Sequence, residues 1–156
     1  RYDPDMGSDA RLSCSSSGWA FLSTLSDDEA LALVAKQGLG LPEQFGPAAP
    51  SSLQAVMEAV AQTRERGYSL TTDTYTAGLS AMSAPVRFNG QPAFGVLTIA
   101  GPTVRFTAEK MTELAPELIS TAQQLAASSG ASPFFSLTAE TGSASPTDGR
   151  KPIYAV

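Results

Sequence analysis

The sequence predicts an α/β chain of the α+β kind, an antiparallel sheet flanked by helices, on three observations. A capping-box pattern stands directly before a helical apolar run at Ser26–Glu29. An Asn-Gly pair, Asn89-Gly90, separates two strand-like runs. A long amphipathic stretch follows from Thr107.

Taken in chain order, residues 12–25 turn from polar to apolar, and Trp19, Ala20, Phe21, Leu22 and Leu25 form a short helical stripe. Ser26 and Glu29 stand as S-x-x-E before Ala30, Leu31, Leu33 and Val34, so a second helix starts there and Gly38 stops it. The stretch LGLPEQFGPAAPSS is a loop by its Pro, Gly and Ser content. Ser51 or Ser52 then caps a helix with the face Leu53, Val56, Met57 and Val60, ended by Gly67. Arg64 and Arg66 in its last turn carry the charge that suits a helix C-terminus.

YSLTTD, residues 68–73, reads as a short strand. Asn89-Gly90 is the preferred centre of a two-residue type I′ hairpin. With only those two residues in the loop, Ala81 faces Thr98, Leu79 faces Ala100 and Ser83 faces Val96. Strand side chains alternate, so these six share one mixed face, small and partly hydroxylated. Met82, Ala84, Val86, Leu97 and Ile99 form the other, greasier face, the one expected to pack on helices. The final helix runs from Thr107 through Met111, Leu114, Leu118, Ile119, Ala122 and Leu125 to about Gly130, with a kink expected at Pro116. Residues 131–156 are rich in Ser, Thr, Gly and Pro, and are expected to be a poorly ordered tail except where Phe134 and Phe135 dock.

Composition excludes several functions. The 156 residues suit one domain with a real core. The formal charge of −5 argues against gripping phosphate backbones, which takes Lys and Arg. Cys14 is the only cysteine, so no intramolecular disulfide forms and a reducing cytosol fits. No apolar stretch approaches the roughly 20 residues that span a bilayer. The first residues show no export signal, and the start without methionine suggests a fragment of a longer protein.

The serine cluster at 15–17 invites a nucleophile, but the chain has no histidine to serve as its base. G-x-S-x-G and S-x-x-K patterns are missing as well. No enzyme is expected. With no His and one Cys only an all-oxygen metal site remains, and Asp27, Asp28 and Glu29 read as first-turn helix acids. Neither metal nor cofactor is expected. Ser15, Ser16 and Ser17 fit a polar helix start, and equally an anion site made of free N–H groups and hydroxyls. Cys14 reads as a small buried hydrophobe and Trp19 as core or interface. Thr98 is either a plain β-branched strand residue or a hydroxyl offered beside Ala81 and Ala100. Asp73 can be a simple strand-end acid.

The segments SCSSSGWAFLSTLSDDEA, QTRERGYSL and GLSAMSAPVRFNGQPAFGVLTIAGP, followed by a long helix, occur in that order. Together they resemble the effector-binding domain of the IclR family of bacterial transcriptional regulators, over about residues 11–130. The resemblance implies a GAF/PAS-like effector domain with a curved antiparallel sheet, from about residue 1 to 130 and incomplete at its N-terminus. In the family it follows a winged helix-turn-helix that binds DNA as a dimer or tetramer. That part is missing from this sequence, so DNA contact is expected only through it, in a cytoplasmic homodimer or homotetramer away from membranes. Family effectors are small organic or aromatic acids. Carried over, the contacting positions are Ser16, Ser17 and Gly18, then Thr71 and Asp73 with Thr72 and Thr74, then Ala81, Thr98 and Ala100. Where some members carry an acid, a cysteine and a second serine, this chain has Thr71, Ala81 and Ala100, and Trp19 replaces a basic residue. The departures favour a larger or more apolar acid. The alternative expectation is a ligand-free module for oligomerisation.

Overall fold

The computed structural model describes residues 10–40 and 42–130. Helix α1 (Ser16–Leu22) is followed by α2 (Asp27–Gln37), a 3₁₀ turn at Pro42–Gln44, and α3 (Leu53–Arg66). Strands β1 (Ser69–Thr72), β2 (Leu79–Val86) and β3 (Gly95–Pro102) come next, and α4 (Ala108–Ser129) closes the described chain. The expectations for residues 131–156 lie outside the described residues.

The helix boundaries follow the local signals. At α2, Ser26 Oγ accepts from Glu29 N, and the Glu29 carboxylate accepts from Ser26 N at 3.0 Å, closing the capping box. Those bonds hold the exposed Glu29 carboxyl below its ordinary range. Ser52, not Ser51, caps α3 by accepting from Ala55 N. Gly67 ends α3 in the left-handed conformation at φ +82°, which costs glycine little. Thr107 caps α4, which runs unbroken through the exposed Pro116; the ring only removes the donor for Thr112 O. Arg64 does more than complement a helix end. Its guanidinium donates to Ser23 O and Leu25 O, each at 3.0 Å, tying the exit of α1 to α3.

The three strands form one antiparallel sheet in the order β1-β2-β3. Its hairpin differs from the sequence reading. Ala81 pairs with Ala100, Ser83 with Thr98 and Val86 with Gly95, two residues away from the tight register. Asn89 and Gly90 still sit at the centre of a turn, closed by Gln91 N donating to Phe88 O at 3.0 Å. Gly90 alone of the two has positive φ, so the turn is not type I′. The ladder ends at the Val86–Gly95 pair. Residues 87–94 loop out instead, and Ala93 N donates to Thr24 Oγ1 at 3.0 Å, docking the loop below α1.

A slip of two residues leaves every side chain on its face, because strand periodicity is two. On one face Met82, Ala84 and Val86 pack with Phe106 and with Met111, Ala115, Leu118, Ala122 and Ala126 of α4. Ile99, expected to pack there, is exposed instead, since β3 is an edge and α4 lies mainly over β2. The mixed face is covered too: α1 lies against it. A second core of Trp19, Leu22, Ala30, Val34, Val56 and Val60 joins α1, α2 and α3 on that side. Trp19 is therefore core, its indole N–H donating to Ser13 O at 3.0 Å. Cys14 is buried, and burial raises its thiol pKa.

Candidate functional site

The face of the sheet under α1 carries hydroxyls from every layer. Ser15 is the N-cap of α1; its hydroxyl accepts from Gly18 N at 3.0 Å and donates to Arg11 O. Ser16, one residue on and 4% exposed, turns the other way, toward the sheet. Its Oγ is 2.8 Å from Ser83 Oγ, and Ser83 Oγ is 2.8 Å from Thr98 Oγ1. Ser69 of β1 donates to Ser16 O at 2.7 Å, fastening the start of α1 to the same face. Thr71 donates to Ala81 O at 3.2 Å and Thr74 to Cys14 O at 2.7 Å.

Either hydroxyl of each pair can donate, and burial favours one direction along the line. Ser83 Oγ is the one acceptor near the Ser16 hydroxyl among the described residues, and both serines are buried, whereas Thr98 is exposed and can turn its proton to solvent or a ligand. With Ser16 donating to Ser83 and Ser83 to Thr98, the Thr98 hydroxyl is an outward donor backed by the chain behind it.

The structure brings Ser16, Thr71, Ala81, Thr98 and Ala100 to this one face, Ala81 opposite Ala100. Gly18 lies in α1 with its Cα against the backbone of Leu12. Ser17 is half-buried, and its Oγ is 3.3 Å from Ser15 Oγ, directed to the cap rather than to Ser83. Asp73 lies in the β1–β2 turn at φ +57°, where its carboxylate accepts from Gly78 N at 2.6 Å and its carbonyl from Ala48 N. That carboxylate closes a turn, a role Asp takes readily. Ser83 and Ser69 are the members the sequence did not single out as contacts. The available signal was parity alone, since both fall on the hydroxyl-bearing side of their strands.

Ser83→Ala tests the line directly. It leaves the Ser16 hydroxyl buried without an acceptor, an expected loss of about 1–3 kcal/mol in urea unfolding. Ser16→Ala added to it should restore part of that loss, because no orphan then remains. If the double variant loses the full sum of the two single losses, the hydroxyls are not coupled.

A family model described as the bacterial transcriptional regulator IclR C-terminal domain matches residues 1–127. The chain belongs to this family. The IclR-type domain is 30% identical over 125 residues to the acetate operon repressor of Salmonella typhimurium, covering 80% of this chain and 44% of that protein. It thus spans less than half the length of that curated relative. The relatives are transcriptional regulators, not enzymes. Among solved structures, the inducer-binding domain of the PobR transcription factor from Acinetobacter, a double mutant in complex with 3-hydroxybenzoic acid, superposes with a TM-score of 0.65 at 22% identity, covering 80% of this chain and 77% of that one. An IclR homologue from Microbacterium hydrocarbonoxydans, complexed with 4-hydroxybenzoate, gives 0.61 at 20% identity, over 75% and 46%. The fold is accordingly the α+β, GAF/PAS-like arrangement of IclR-family effector-binding domains. Among the described residues no helix of this IclR-type domain is long and apolar enough to cross a membrane.

Proposed function

We propose that this IclR-type domain senses an organic acid, aromatic or otherwise largely apolar, bound against the sheet face of Thr98, Ala81 and Ala100. The observation that carries the reading is the hydroxyl line Ser16–Ser83–Thr98, which ends in the exposed hydroxyl of Thr98. A carboxylate is the acceptor that gains most from such a donor, because hydrogen bonds to ionised groups are roughly twice as strong as neutral ones. Beside it the exposed Ala100 and the buried Ala81 offer methyl groups, a surface that suits an apolar body rather than a second polar group. That solved relatives hold 3- and 4-hydroxybenzoate supports the class of ligand. Ser16 supports Thr98 through Ser83, whereas Ser17, Gly18, Thr71 and Asp73 shape the surrounding backbone.

In the whole regulator, effector uptake would shift the balance between two arrangements of a homodimer or homotetramer and so change operator affinity at a separate DNA-binding domain. The shift is bounded by the effector's preference for one arrangement. Calorimetric titration with 3-hydroxybenzoate, 4-hydroxybenzoate and pyruvate checks the reading. The aromatic acids are expected to bind more tightly than pyruvate, and Thr98→Val to weaken the best of them about tenfold or more, the value of one charge-assisted bond. Equal binding by Thr98→Val and wild type removes Thr98 from the site, and no binding by any acid removes the reading.

A second reading, a module for self-association, draws on one observation. β3 is an eight-residue strand with no charged side chain, and its outer edge has no partner among the described residues. Such an edge is a template for pairing with another chain. Sedimentation equilibrium distinguishes the two: self-association unchanged by acids favours the module, and acid-dependent association the sensor.

A further inference from the structure

On the opposite side of the sheet from Thr98, at the Val86 end of β2, the last turns of α4 border a groove of about 500 Å³. Ala84, Phe88, Ile119, Ala122, Ala126 and Ala127 line it together with the polar Ser23, Asn89 and Gln123 and the two arginines Arg64 and Arg87. This volume is within the range of roughly 300–1,000 Å³ at which sites hold a compact ligand. Phe88 is 43% exposed, and its ring packs only edge-tilted on Phe94 at 5.0 Å between centroids. Arg87 has no hydrogen bond or ion pair among the described residues. Apolar side chains of β2 and α4 thus share the groove with polar groups and with positive charge from Arg64 and Arg87.

We propose that this groove is the docking site for the chain's own C-terminal segment, with Phe134 and Phe135 as its anchors. Three observations point to that occupant. First, the described chain ends at the groove: Gly130 lies so near Phe88 that a Cβ there would stand 3.6 Å from its ring. Second, the sequence that follows is Ala131-Ser132-Pro133-Phe134-Phe135. Pro is unfavourable in a helix interior and Ser-Pro is a turn-favouring pair, a composition that suits a chain reversal after α4. At no more than about 3.3–3.6 Å per residue, Phe134 and Phe135 reach roughly 13–18 Å from Gly130. Ala126 and Ala122 are one and two turns back on α4, about 6 and 12 Å at 1.5 Å per residue, so both lie within that span. Third, charge agrees with position. Residues 131–139 carry no charge, and the first ionised group beyond the aromatic pair is Glu140, a partner for Arg87.

The segment lies outside residues 1–127, the part of the chain that the family model matches. Its docking bolts the end of α4 to β2 on the side away from the effector face, so it stands or falls separately from the sensing function. Hydrogen exchange on the full chain tests it. In Phe134→Ser/Phe135→Ser, amides of residues 119–127 are expected to exchange about tenfold faster than in wild type, with α1 unchanged. Ala127→Asp, a lesion at an exposed groove position with the aromatic pair intact, is expected to reproduce the effect. Unchanged exchange in both variants overturns the proposal. Protection that falls on dilution of the wild type also overturns it, since a second molecule then fills the groove.

Discussion

Gly18→Ala is expected to destabilise the domain by about 3 kcal/mol, at the upper end of what forced overpacking costs. A Cβ on Gly18 would lie 2.6 Å from Leu12 Cα and 2.8 Å from the carbonyl oxygens of Arg11 and Leu12. Those are backbone atoms, and they are not free to move. Arg11 O accepts from Ser15 N and from the Ser15 hydroxyl, and Leu12 N donates to Gln37 Oε1 at 2.9 Å. Relief would require α1 to lift off, breaking the Ser16–Ser83 contact beneath it. Gly95→Ala is the control, because its Cβ would meet only Val86 Cβ at 3.7 Å, an ordinary contact. Thermal and urea unfolding of both variants decide the matter. A Gly18→Ala protein as stable as Gly95→Ala would show that the close approach of α1 to the preceding segment is not needed.

Met82→Ala has a comparable expected cost, about 2–5 kcal/mol, for a different reason. Met82 is fully buried at the centre of β2, where the sheet meets Met111, Ala115 and Leu118 of α4. Four of the α4 residues in that core are otherwise small or aliphatic, so truncating the methionine leaves a hole with few long side chains to fill it. Against the 5–15 kcal/mol typical of a whole domain this is a large fraction. The loss should appear as a lower urea midpoint with m unchanged. Met82→Leu, which keeps the volume, should cost less than about 1.5 kcal/mol. If Met82→Ala falls within 1 kcal/mol of Met82→Leu, as estimated for easily collapsed sites, α4 adjusts to the cavity.

Much of this architecture is written in short-range signals. Ser26 with Glu29, Ser52, Thr107 and Gly67 mark helix ends because a cap is satisfied by atoms within three residues, so sequence alone contains both partners. The faces of β2 and β3 were also legible, since alternation survives any even slip. The register was not. Asn89-Gly90 has the composition of a two-residue turn, and the bond that holds the longer loop, Ala93 N to Thr24 Oγ1, joins residues 69 apart in the chain. The candidate site is legible in the same measure. Parity collects Ala81, Thr98 and Ala100, but nothing local says that Ser16 meets Ser83, 67 residues away. Likewise the fates of Ser17 and Asp73 depend on which way a hydroxyl or a turn faces. Ser17 looks back to Ser15, and Asp73 is held by Gly78 N. Such choices are made by tertiary neighbours, which leave no periodic trace.

The hydroxyl line has one more consequence, and it concerns observation rather than binding. Ser83 is fully buried, and its proton lies between two oxygens, so exchange with water must wait for the structure to open. A slowly exchanging proton there is expected to give its own magnetic-resonance signal, one oxygen away from the exposed Thr98 hydroxyl. Such a signal would serve as an internal spectroscopic gauge, set behind the surface it reports on and needing no added label.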